Sequence, residues 1–249
     1  VPGPNDKRLA VRVTPDALRH VKARHPWVFE ESVTSISHEA DAGDIAVVFD
    51  NDRKFVALAL YDPVSPIRFR ILHVGRPTPI DAAWWRTTIG AALEKREVFT
   101  SDPAADELAY RVINGENDGL SGLVVDRYDG VLVIKLYSSA WFPHLLTLTR
   151  ALLDVTGCAG VVLRLARNLQ AGESFGLGDG DVIAGVVADG PVRFSEGVLA
   201  FEADVRAGQK TGHFLDQRAN RLRVGSMVAG RDVLDLFAST GGFSVHAAA

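Results

Sequence analysis

The sequence predicts a multidomain α/β chain: a small β-barrel-like module, a central α+β module and the opening unit of an open α/β domain. Three observations carry this. Short apolar runs separated by turn residues fill roughly residues 8–74. A helix with apolar residues at helical spacing then leads into a strand-rich segment. Finally, Val233-Leu234-Asp235-Leu236-Phe237 enters the small-residue turn Ala238-Ser239-Thr240-Gly241-Gly242 and a helix-like stretch from Phe243 to Ala249. That last order, strand then glycine turn then helix, is the first unit of a nucleotide-type cofactor domain.

In the first block the expected strands are Leu9 to Val13, Ile45 to Phe49, Phe55 to Tyr61 and Ile67 to Leu72, with a short helix after Pro15. The second block opens with a helix over Asp81 to Arg96, whose Trp84, Trp85, Ile89, Ala92 and Leu93 form a stripe that reads as core rather than as a base-stacking platform. Strands follow at Ala109 to Ile113, Gly122 to Asp126 and Val131 to Tyr137, the last two joined by the hairpin signal Tyr128-Asp129-Gly130. A helix from Pro143 to Val155 and a strand at Gly160 to Leu165 complete it. The third block holds a strand pair around Glu196-Gly197, a polar segment from Gly208, a helix through Asn220 to about Met227 and the final strand, turn and helix.

Composition excludes several classes. The 249 residues are 47% apolar and 23% charged, which is ordinary for a folded water-facing chain. No apolar run is long enough to span a bilayer, so no membrane partner is expected. One cysteine, Cys158, supplies no intrachain disulfide and fits a reducing, cytoplasmic compartment. The net charge of -4 is uneven: residues 77–190 carry 9 Lys+Arg against 15 Asp+Glu, whereas residues 1–76 carry 11 against 10. Within that neutral start, Arg12, Arg19, Lys22 and Arg24 face only Asp16, a local basic patch suited to phosphates. A solvated surface is the plainer reading of the same charges.

The terminal turn holds the clearest chemistry. Gly241 and Gly242 permit backbone angles that other residues resist, and they leave room for a ligand against the main chain. Asp235 is placed to meet a cationic ammonium, which suits a zwitterionic methionine moiety better than a diphosphate. Neither the dinucleotide spelling G-x-G-x-x-G nor a P-loop fits this stretch. Upstream, Gly208 to Arg221 gathers Lys210, Thr211, His213, Asp216, Gln217, Arg218, Asn220 and Arg221 around only two large apolar residues, Phe214 and Leu215. That density marks either a capped, salt-bridged helix start or a ligand or RNA site. No zinc spacing, no H-E-x-x-H, no serine-hydrolase elbow and no metal site is found.

Read together, these pieces resemble the class I S-adenosylmethionine-dependent ribosomal RNA methyltransferases that make 5-methylcytosine and carry an N-terminal PUA domain. The resemblance rests on His25-Pro26-Trp27-Val28-Phe29 and on Tyr61 to Arg70 in the first block. It continues in Arg111 to Tyr128, Gly208 to Arg218 and Asp235 to Ala248. It implies a PUA-like RNA-binding domain at 1–76, a central α+β domain at 77–190 and the start of a Rossmann-like α/β methyltransferase domain at 191–249. It also implies S-adenosyl-L-methionine as cofactor, held by Lys210, Thr211, Phe214, Asp216, Gln217, Arg218, Asp235, Phe237, Gly241, Gly242 and Phe243. The implied partner is ribosomal RNA, met by Arg12, Arg19, Lys22, Arg24 and Arg221; a homodimer is the oligomeric expectation.

No catalytic residue is assigned. Methylation at cytosine C5 calls for a thiolate that adds to C6, and Cys158 has no basic neighbour in sequence to activate it. The expectation is therefore that the chain stops after the first cofactor motif and is inactive alone, with cytosine methylation belonging to a longer protein. The competing expectations are a non-catalytic RNA-binding or ribosome-assembly protein with a vestigial cofactor fold, and a methyltransferase acting on another RNA base.

Overall fold

Alternation of side chains builds the first sheet. In β1 (Leu9–Val13), Leu9, Val11 and Val13 turn inward while Ala10 and Arg12 face water. The computed structural model describes residues 3–97, 108–172 and 174–249. Five further strands join β1: β2 (Trp27–Phe29), β3 (Val33–Ile36), β4 (Ile45–Phe49), β5 (Phe55–Tyr61) and β6 (Ile67–Val74). They form one curled sheet in the order β2-β6-β5-β4-β1-β3, with only the β1–β4 pair parallel. Helix α1 (Pro15–Lys22) starts where Thr14 caps the Ala17 amide, and it buries Ala17 and Val21 against the sheet. β2 and β3 were not expected from the sequence, because three or four residues with only partial burial leave no periodic signal.

The second sheet runs β11-β10-β9-β8-β7, from β7 (Ala109–Asn114), β8 (Leu123–Tyr128), β9 (Val131–Leu136), β10 (Gly160–Leu165) and β11 (Val182–Gly185). Asp129, in the left-handed region at φ +51°, and Gly130 close the expected β8–β9 hairpin. The helices α2 (Ala82–Glu94) and α3 (Leu145–Thr156) pack on one face through Trp85, Ile89, Ala92, Leu148 and Leu152. Trp85 is buried there as the stripe predicted. Opposite, Tyr128, Val133 and Val162 pack against Phe194 and Phe201 of the hairpin β12 (Val192–Glu196) and β13 (Leu199–Ala203).

The first two sheets are locked together. Leu58 and Leu60 of β5 and Leu72 of β6 belong to the same apolar core as Trp85 and Trp141, so the first sheet is buried on both faces. Polar contacts fix the register. Trp27 Nε1 donates to Ser121 Oγ at 2.7 Å, Ser138 Oγ donates to Asp62 at 2.6 Å, and His144 Nε2 lies 2.7 Å from the Gly43 carbonyl. Gly43, at φ +93°, leaves no room for a side chain: a Cβ would stand 2.7 Å from the Ala140 carbonyl. Replacing Trp27 by Phe keeps an aromatic ring but removes the donor and part of the indole, and should destabilise this junction by about 1 kcal/mol or more in chemical denaturation.

The third part comprises the β12–β13 hairpin, α4 (Arg218–Met227) and α5 (Gly242–Ala248). Here one expectation is corrected. Val233 to Phe237 is not a strand: it pairs with no other strand among the described residues, and Leu234, Leu236 and Phe237 are exposed. Its apolar spelling is that of a buried strand, but a strand exists only through the neighbours it hydrogen-bonds.

Candidate cofactor site

The Asp235 to Gly242 turn is held in a demanding backbone shape. Phe237, Ser239 and Gly241 all have positive φ, at 60°, 53° and 69°. Two such non-glycine residues in one turn require the surroundings to hold them. Gly242 lets α5 begin directly against α4, since a Cβ there would stand 2.6 Å from Arg221 Cδ. At Gly241 the side-chain position is instead open space.

Facing the turn is a pocket of about 400 Å³ lined by Asp235 to Thr240, Gly242 and Phe243 on one wall and by Phe214, Gln217 and Arg221 on the other. Of the residues assigned to the cofactor from the sequence, Phe214, Gln217, Asp235, Phe237, Gly242 and Phe243 meet here. Asp235 is positioned by Ser244, whose Oγ donates to its carboxylate at 2.8 Å.

The other assigned residues lie elsewhere. Thr211 is fully buried; it donates to Asp126 Oδ2 at 2.6 Å, while the Tyr128 hydroxyl contacts it at 3.2 Å. It anchors the segment to the central sheet. Lys210 lies over the Phe214 ring at 4.2 Å and 3.7 Å from Asp216, behind the pocket wall. Asp216 and Arg218 line a separate groove with Arg96, Arg111 and Asp118. The polar segment therefore has two faces, which sequence spacing could not separate.

Arg221 requires a correction. It was assigned to RNA, yet it is 2% exposed and bound to Glu196: its Nε donates to Oε2 at 2.9 Å and its Nη2 to Oε1, while Nη1 donates to the Phe214 carbonyl at 2.9 Å. A guanidinium buried to this extent and committed to a carboxylate is not placed to meet an RNA phosphate. The remaining basic residues are all exposed. Arg12 shares a groove with Arg53, Ser35 and Ser37, and Lys22 reaches Asp50 at 3.8 Å in the turn that also carries Arg53. Arg19 pairs with Asp16, and Arg24 lines a different cleft beside His73 and Glu116.

Glu196 is the residue that sequence reasoning missed. Its carboxylate also meets His246 Nε2 at 3.1 Å and His213 Nε2 at 3.4 Å, all within the protein interior. Burial alone would raise its pKa, but the contacts from His213, Arg221 and His246 outweigh that and hold it at about 2. His213 lies 5.1 and 5.4 Å from the rings of Phe194 and Phe201, and its Nδ1 is 2.7 Å from the Thr240 hydroxyl in the turn. A signal was present: Glu196 follows Phe194 by two positions, which puts a carboxylate on the inward face of β12.

The donor set fits S-adenosylmethionine. Asp235 offers a carboxylate for an ammonium, Phe214, Phe237 and Phe243 offer apolar faces for an adenine, and Gln217 and Thr240 offer hydrogen bonds to polar groups.

Comparison with known proteins agrees with this arrangement. Residues 11–73 match a PUA-like domain model, and residues 114–249 match the model of S-adenosylmethionine-dependent methyltransferases, which extends across the 190/191 boundary expected from sequence. A Deinococcus radiodurans protein named a ribosomal RNA large subunit methyltransferase is 49% identical over 99% of this chain and 61% of its own length. A Salmonella arizonae protein named ribosomal RNA large subunit methyltransferase I is 31% identical over 90% of this chain and 55% of its own length. A solved Streptococcus mutans protein, provisionally named a SAM-dependent methyltransferase, superimposes with a TM-score of 0.78 at 20% identity, over 96% of this chain and 60% of that one. The chain thus spans little more than half the length of these relatives. Its last 136 residues carry the matched domain and the glycine turn together, and the chain belongs to the S-adenosylmethionine-dependent methyltransferase family.

Proposed function

We propose that this chain supplies the RNA-recognition part and the cofactor entrance of a methyltransferase that acts on large-subunit ribosomal RNA, with cytosine C5 as the target atom. The carrying observation is the pocket in which Phe214 and Gln217 face the Asp235 to Phe243 turn, in one chain with a PUA-like module. The names of the Deinococcus and Salmonella relatives support the RNA substrate.

S-adenosylmethionine supplies an electrophilic methyl group on sulfonium when bound. Asp235 and Thr240 would hold its polar end, with Phe214 and Phe243 beside it. Cytosine C5 is a weak nucleophile, and a thiolate adding to C6 makes it competent. Cys158 does not serve that step: it is buried in the core that also contains Trp85 and Leu152, remote from solvent-borne substrate. Residues 1–249 alone are therefore expected to bind ligands and transfer no methyl group.

The test is methyl transfer from labelled cofactor to protein-free large-subunit RNA, followed by nucleoside mass spectrometry. A protein of the relatives' length should yield 5-methylcytidine, and the 249-residue chain should yield none. Label in another nucleoside would overturn the choice of base. RNA retention without label from the longer protein would favour the non-catalytic reading. For the recognition surface, replacing Arg12, Arg19, Lys22 and Arg24 by Ala should lower the slope of log affinity against log salt by about 3, if each meets one phosphate of single-stranded RNA. An unchanged slope in filter-binding titrations would remove these residues from the interface.

A further inference from the structure

We propose that the buried Glu196–His213 pair fixes the hydrogen-bond polarity of Thr240, so that the cofactor turn presents an acceptor, and not a donor, to its ligand. His213 is thus a positioning residue for the turn. The inference deepens the cofactor reading above and rests on it.

The His213 ring meets two environments. Its two nitrogens have different neighbours: Nε2 is 3.4 Å from a Glu196 oxygen, and Nδ1 is 2.7 Å from Thr240 Oγ1. A lone pair on Nε2 would be set against a carboxylate at that distance, so Nε2 carries the proton. In a neutral imidazole the other nitrogen then accepts. Among the described residues the donor at Nδ1 is the Thr240 hydroxyl, whose proton is thereby committed inward. What remains on Thr240 for the pocket is oxygen lone pairs. A ligand group meeting them must donate, as an ammonium or hydroxyl does and a carboxylate does not.

The surroundings defend this arrangement. The groups facing the ring are Glu196 from β12, Arg221 from α4, His246 from α5 and, at the backbone, the Tyr128 hydroxyl, which accepts from the His213 amide at 3.0 Å. Phe194 and Phe201 hold the ring plane, and Tyr128 holds the main chain. Thr240 thus inherits its orientation from a buried network centred on Glu196.

Two measurements test this. Nitrogen-15 NMR of the histidines in the 249-residue chain at neutral pH should show His213 as a neutral ring protonated at Nε2. An Nδ1-protonated ring or an imidazolium would overturn the proposal, with no ligand involved. Calorimetric titration with S-adenosylhomocysteine should then show Thr240→Val and His213→Phe each weakening binding about fivefold to tenfold. Thr240→Ser should restore it to within about twofold, and the double variant should bind no more weakly than either single one, because both remove the same interaction. Independent, multiplying losses or unchanged affinity would overturn the positioning role. Failure of the unaltered chain to bind the ligand at all would defeat the cofactor reading instead, while the NMR result would still decide the polarity of Thr240.

Discussion

Glu196→Gln is expected to loosen α4 and α5 by about 3–5 kcal/mol, the usual cost of removing one partner from a buried charge cluster. The substitution keeps the shape of the side chain and removes its charge. It leaves the Arg221 guanidinium in the interior, 2% exposed and opposed by no carboxylate, and it sets amide protons against donors. The depressed pKa of Glu196 corresponds to an effect of similar size. A carboxyl moved from its ordinary 4.5 to about 2 by folding corresponds to about 3 kcal/mol. Because the folded value is depressed, that contribution is complete above about pH 4.5 and is lost as pH falls towards 2. Amide hydrogen exchange along residues 218–227 and 242–248, read from pH 3 to 7, reports it locally without assuming that the whole chain unfolds in one step. Equal protection in the two proteins at pH 7 would refute the role assigned to Glu196.

The second large effect is expected at Gly225. A methyl group there would stand 2.5 Å from the His246 carbonyl oxygen and 3.2 Å from its carbon. Those are backbone atoms, and no rotamer relieves the clash. Gly225→Ala should therefore push α5 off α4 at a cost of about 1–3 kcal/mol. The functional loss should exceed what that figure suggests, because α5 begins at the cofactor turn. Once Gly242 is no longer pressed against Arg221, the positive-φ residues Phe237 and Ser239 lose their support. Affinity for S-adenosylhomocysteine should fall more than tenfold. Gly230→Ala is the control, since nothing lies within 4 Å of a side chain there, although its φ of +68° adds some backbone strain. Equal affinities for the Gly225→Ala protein and the unaltered one would show that helix spacing does not set the turn.

Much of the fold is legible in the sequence because its elements are locally determined. β1, β4, β5 and β10 begin and end where apolar alternation or apolar runs predict. Helix α2 begins at its Asp81 cap, which accepts from the Trp84 amide at 2.9 Å. The segment Val233 to Phe237 shows the limit of such reasoning. Its composition is that of a strand, but strand formation is a property of pairs.

The candidate site divides in the same way. Gly241, Gly242, Asp235 and Phe243 could be named from spelling, because a turn with positive φ and a close helix start restrict residue type directly. Lys210, Thr211 and Arg221 could not be placed, because adjacent polar residues on one irregular segment carry no period that tells inside from outside. Only the tertiary structure sends Thr211 to Asp126, Arg221 to Glu196 and Gln217 to the pocket. The sequence by itself determined the order of the modules and the spelling of the cofactor turn, both written within a few neighbouring residues. The tertiary structure alone decided that a carboxylate on β12 governs a turn 44 residues later: Glu196 reaches Thr240 through His213, and contacts across such a separation are set by packing.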